Sequence, residues 1–94
     1  MKADNSRTIF NSRYVANRIS RTIGHVKLVK SMVEEGADCT DVLIQLAAVR
    51  GQMDGICSCI MAQYTDQVAD EYRRSGDPAL LEAYKTELFR AIKK

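Results

Sequence analysis

Beyond its first ten residues the chain is apolar at intervals of three and four. Val15, Ile19, Thr22, Val26, Val29 and Val33 recur at that spacing, the repeat of one face of an α-helix. The pattern predicts a first helix over about 12–35, with these positions on one buried stripe. Asn11 or Ser12 can cap its start, and Gly36 can close it in the left-handed conformation. A second stripe runs through Val42, Leu46, Val49, Met53, Ile56, Ile60, Tyr64 and Val68. It predicts a long helix over about 39–74, capped by the carboxylates of Asp38 to Asp41, with Gly51 and Gly55 its only weak points before Gly76. From Cys39 to Val68 such a helix extends about 43 Å at 1.5 Å per residue. Short neighbours cannot cover that length, so it is expected to pack antiparallel against a second copy of itself.

The third start is the sharpest local signal. Asp77 stands as N-cap and Pro78 at the first helical position, directly after Gly76. Leu81, Tyr84, Leu88 and Ile92 then form a short amphipathic stripe, which predicts a helix over about 78–93. Residues 1–10 are polar and aperiodic and read as a flexible arm. The expectation is a single all-α domain over 1–94: a three-helix protomer with a long second helix, in an antiparallel helical-bundle dimer.

Composition agrees with helix. There is one Pro, no Trp and 46% apolar residues, which favours helix over strand. A chain of 94 residues buries a thin core unless it docks on a copy. Nothing in it has the roughly 20 apolar residues of a membrane span, and the polar start lacks the apolar core of a signal peptide. Three cysteines, Cys39, Cys57 and Cys59, do not make a secreted disulfide framework. A soluble, cytoplasmic protein with reduced thiols and no membrane partner is expected.

Charge changes the picture more. The net charge of +2 hides a segregation: residues 1–30 hold seven Lys or Arg against Asp4 alone, whereas residues 31–82 hold ten acids against three bases. A basic first third suits phosphate or another anion. Arg18 and Arg21, with Arg13, Lys27 and Arg50 nearby, can form a basic patch, although no helix-turn-helix or zinc-finger spacing accompanies it. His25, the only histidine, falls close in angle to Tyr14, Arg18 and Arg21 and off the apolar stripe. That position suits a phosphate contact or a surface hydrogen bond rather than a metal.

Cys57 and Cys59 stand about 200° apart around a helix and cannot share a metal within it. Cys57 is expected to be buried beside the seam, and Cys59 to pack against the first or third helix. Cys39 begins the second helix, where free amides and the dipole favour a thiolate. It reads either as a reactive thiol or as a small residue filling space. There is no Gly-rich phosphate loop, no nucleophile elbow and no histidine but His25 for a triad, so the chain does not read as an enzyme.

Three stretches taken together resemble one family: Asn17 to Cys39 (NRISRTIGHVKLVKSMVEEGADC), Thr40 to Gly55 (TDVLIQLAAVRGQMDG) and Ser75 to Tyr84 (SGDPALLEAY). They are similar to the CsoR/RcnR/FrmR family of bacterial metal- or formaldehyde-responsive transcriptional repressors, and Asp38 to Arg50 is the most specific part. The resemblance implies a homodimer, commonly a homotetramer of two dimers, that binds operator DNA through basic residues of the first two helices and is released by an inducer. Arg18 matches a DNA-contacting Arg of the first helix and Arg50 the basic position of the second; Arg21 and Lys27 are neighbours by geometry.

The resemblance further implies that inducer is sensed at Cys39. Copper sensors of the family complete the site with a His and a Cys of the partner's second helix, but Tyr64 and Val68 stand at those positions here. Neither is a Cu(I) ligand. Formaldehyde sensors use an N-terminal Pro where this chain has Lys2, and sulfur sensors need the second Cys that Val68 replaces. The remaining expectation is a cysteine sensor for a small molecule, built from Cys39 with Tyr64 and Val68 of the partner chain and with no cofactor assigned. Two alternatives stand beside it: a Cu(I)- or other metal-sensing repressor in which Cys39 acts with atypical ligands, and a helical interaction module that has lost sensing.

Overall fold

In the computed structural model, residues 8–92 are described. They form three helices, α1 (Ser12–Glu34), α2 (Cys39–Ser75) and α3 (Pro78–Ile92), and no strand occurs among them. The expected boundaries hold to within a residue at every described end. Residues 1–7 of the expected arm, and Lys93 at the end of the expected third helix, lie outside the described residues.

The punctuation does what its chemistry predicts. After α1, Gly36 turns at φ +80°. The Ala37 amide then donates to the Met32 carbonyl at 2.9 Å and the Gly36 amide to that of Val33 at 3.2 Å, the paired bonds of a Schellman close. Asp38 caps α2, its carboxylate accepting the Thr40 amide at 3.0 Å. Gly76, at φ +65°, ends α2, and Asp77 caps α3 by accepting the Ala79 amide at 3.0 Å. Asn11 holds the N-cap position of α1 without a side-chain cap bond.

The described residues divide into two compact units, residues 10–60 and residues 8–9 with 61–92, and the boundary falls within α2. In the first, α1 pairs with the front of α2 around Val15, Thr22, Val29 and Ile56, all buried. In the second, Val68 is the buried core residue. Tyr64 stacks on Tyr84 with ring centroids 5.2 Å apart, and the Tyr84 hydroxyl meets the Thr65 hydroxyl at 2.7 Å. The Thr8 carbonyl, at the end of the expected arm, accepts the Gln67 amide at 2.7 Å.

One expectation is corrected. The predicted α1 stripe is two stripes. Val15, Thr22 and Val29, seven apart, are buried, whereas Ile19, Val26 and Val33, also seven apart, are 40%, 46% and 60% exposed. The second line is offset by four residues, about 40° around the helix. On α2 the split repeats: Val42, Val49 and Ile56 are covered, while Leu46 and Met53 of the neighbouring line are exposed. Periodicity finds apolar lines, but one short helix partner can cover only one of them.

Candidate functional site

α1 places Arg18, Arg21, Thr22 and His25 along one side, at intervals of three and four residues, and with Gln52 of α2 they line a cavity of about 300 Å³. Thr22 and Arg18 are held by local contacts. The Thr22 hydroxyl donates to the Arg18 carbonyl at 3.1 Å. The Arg18 guanidinium carbon lies 5.8 Å from the Tyr14 ring centroid, within reach of a cation–π attraction. Its Nη2 covers Gly55 so closely that a Cβ there would stand 2.7 Å away. No carboxylate among the described residues pairs with Arg18 or Arg21; the ion pairs are Lys30 with Glu34, Arg73 with Asp70 and Arg90 with Glu87.

His25 is not the surface residue that its helical angle suggested. It is half-buried against α2. Its Nε2 donates to Gln45 Oε1 at 2.7 Å and its Nδ1 accepts from Gln52 Nε2 at 2.9 Å. Both ring nitrogens are thereby engaged by glutamines of α2, so the ring ties α1 to α2. Gln45, Gln52 and Gly55 were not singled out as site residues from the sequence. The available signal was the seven-residue spacing of the two glutamines, which sets both beside the α2 seam.

The other basic candidates do not join this cavity. Lys27, nine residues beyond Arg18, falls about 180° around α1 from it and is exposed. Arg50 is also exposed and lies on the side of α2 that carries Leu46 and Met53.

Cys39 is exposed at the first position of α2. It lines a second cavity, of about 330 Å³, with Val33, Ala37, Val42 and Leu43. The walls are aliphatic, and the nearby capping amide of Thr40 is taken by Asp38. Tyr64 and Val68 belong to the other unit, where Tyr64 packs on Tyr84 and Val68 is 3% exposed.

These donors do not fit a metal. The aliphatic wall beside Cys39 supplies no second ligand, Val68 has no donor atom, and a lone thiolate does not hold a transition metal selectively. Among the described residues no three His, Cys, Asp or Glu side chains gather into a metal cluster. Cys57, expected to be buried, is exposed in the single chain, and Cys59 is half-buried. Cys57 follows the face of the uncovered apolar line, which accounts for the difference. Among the described residues no helix is long and apolar enough to cross a membrane.

Comparison with known proteins agrees with this architecture. The copper-sensing transcriptional repressor CsoR of Bacillus subtilis is 29% identical over 63 residues, 67% of this chain and 62% of that protein, so the match spans under two thirds of that relative. The transcriptional repressor RcnR of Salmonella typhimurium is 34% identical over 76 residues, 77% of this chain and 84% of the relative. Among solved structures, the nickel-responsive transcriptional regulator InrS superposes with a TM-score of 0.80 at 32% identity, covering 94% of this chain and 98% of that one. Residues 11–94 match the family described as metal-sensitive transcriptional repressor, and this chain belongs to that family.

Proposed function

We propose that the chain is a cytoplasmic, homo-oligomeric transcriptional repressor that acts as one domain, binds operator DNA through the α1–α2 unit and is released by a small molecule sensed at Cys39. The observation that carries the DNA reading is the Arg18–Arg21 cavity. Two guanidinium groups without a carboxylate partner among the described residues share one recess of a helix pair, an arrangement suited to phosphate. Lys27 and Arg50 add charge on other faces of the same unit, where contact with a long polyanion or with a second copy brings them into play. Membership of a repressor family supports the same reading.

Self-association is supported by the uncovered apolar lines. Ile19, Val26 and Val33 of α1 and Leu46 and Met53 of α2 keep a heptad spacing, the pattern that seats one helix pair on another. A second copy of the chain supplies the complementary surface, since its own lines carry the same repeat.

For the inducer, an exposed thiol in an aliphatic recess fits a thiol-reactive small molecule with a compact apolar body better than it fits a metal. In this reading Tyr64 of a partner chain borders the sensing surface, and Val68, 3% exposed within its own chain, packs behind it rather than on it. Binding of the chain to its own upstream DNA, followed by fluorescence anisotropy across a salt series, tests the repressor reading. Arg18→Ala is expected to weaken it, and absence of binding by the unaltered protein at low salt rules it out. Mass spectrometry of Cys39 after exposure to persulfide, aldehyde, electrophile and metal panels tests the sensing reading, and an unmodified, metal-free thiol throughout removes it.

A further inference from the structure

We infer that the Arg18 cavity is a seat for one phosphoryl group, in which Gly55 and His25 are positioning residues that hold Arg18 and Gln52 toward the anion. The inference rests on the operator-binding reading for the source of that phosphoryl group, but its geometry stands on its own. The cavity is lined by two guanidinium groups, a hydroxyl, an imidazole and a carboxamide. Carboxylates are absent from this lining. A donor-rich, cationic recess of this kind selects a tetrahedral oxyanion. At about 300 Å³ it has room for the group, its ester carbons and a few waters of about 30 Å³ each.

The recess is built. Arg18 is backed by the Tyr14 ring and lies across the one α2 position, Gly55, whose missing Cβ admits it. On the facing wall, one amide hydrogen of Gln52 is committed to His25 Nδ1. This bond fixes the amide plane and leaves the second hydrogen available to the cavity. His25 is anchored in turn by Gln45. With both ring nitrogens engaged by glutamines, it orients Gln52 rather than contacting the anion itself.

The test uses the full chain and four variants: Arg18→Ala, Gly55→Ala, His25→Leu and His25→Gln. A methyl group at Gly55 meets only the far end of the Arg18 side chain, so that variant displaces the guanidinium without disturbing the helix pair. The His25→Gln side chain keeps one donor and one acceptor, whereas His25→Leu keeps neither. Gly55→Ala and His25→Leu are expected to lower DNA affinity equally on operator and scrambled sequences. For Gly55→Ala, which displaces a guanidinium, the slope of log affinity against log salt should flatten by about 0.9, whereas His25→Leu, which frees only a neutral amide, should lower affinity with the slope unchanged. His25→Gln should restore the affinity lost in His25→Leu. Circular dichroism and sedimentation should match the unaltered protein.

A second arm asks whether a free anion uses the same seat. Inorganic phosphate is titrated against chloride at equal ionic strength while the Arg18 Nε–H and Gln52 side-chain amide resonances are followed by NMR. Shifts specific to phosphate, lost in Arg18→Ala, support the seat for free phosphate; their absence beside the DNA result confines it to the nucleic-acid backbone. If the unaltered protein binds no DNA at low salt while phosphate moves these resonances, the operator reading falls and the seat stands. The seat is overturned if Gly55→Ala and folded His25→Leu keep the unaltered affinity, salt slope and phosphate response.

Discussion

Arg18 and Cys39 stand on the same α1–α2 unit, yet their surroundings are opposite in kind. Arg18 is held by an aromatic face, a glycine and a hydroxyl that bonds its carbonyl, beside a glutamine fixed by a histidine. Cys39 is exposed beside Val33, Ala37, Val42 and Leu43 and touches no such framework. The first is preorganised for a ligand whose charge and shape are constant. The second presents one exposed thiol among aliphatic side chains, which suits a covalent event more than a coordinated one. In the proposed repressor, the DNA-facing and sensing roles thus need different amounts of built structure, and substitutions at either end test this.

The largest expected effect is at the Arg18 end. Arg18→Ala with Arg21→Ala should lower operator affinity at least about a hundredfold at low salt, since each charge-assisted hydrogen bond contributes about 1.5–3 kcal/mol. A gel-shift or anisotropy titration measures it, and an unchanged affinity would remove the cavity from the interface. The next concerns the shared scaffold. Val29→Ala, in the buried line between α1 and α2, should cost about 2 kcal/mol, the loss of two buried carbons plus a cavity. Chemical denaturation at fixed protein concentration reads this, and it should lower the stability without changing the salt slope of the folded fraction.

A smaller effect of opposite sign sharpens the comparison. Gly55→Ala should raise stability by up to about 1 kcal/mol, because Ala replaces Gly inside a helix and its new methyl meets only a movable guanidinium. The same variant should weaken DNA binding, so stability and function move apart. Smallest of all, Lys30→Ala should change stability by no more than about 0.5 kcal/mol. Its ion pair with Glu34 is exposed on both sides, and such pairs contribute little.

Helix ends were legible in the sequence because their signals are local. Gly36, Asp38 and the Gly76-Asp77-Pro78 run act on backbone within a few residues, and the structure uses each as its chemistry dictates. The division of the α1 stripe was not legible. Val15 and Ile19 are equally apolar, and which line is covered depends on where α2 lies, a property of the pair. The same holds for His25, whose position among Arg18 and Arg21 was readable from helical angle while its bonds to Gln45 and Gln52 needed the register between two helices. Cys57 shows the converse: its place beside the seam was read as burial, but the line it follows is left uncovered in one chain.

In the proposed repressor the DNA contact is carried by the Arg18 cavity and the response by Cys39. Operator binding by the unaltered protein, Arg18→Ala and Cys39→Ala, measured side by side before and after a thiol-reactive compound, tests it most directly. Cys39→Ala is expected to bind like the unaltered protein and to ignore the compound, while Arg18→Ala is expected to bind weakly from the start. A Cys39→Ala protein that fails to bind DNA, or that is still released by the compound, would contradict it.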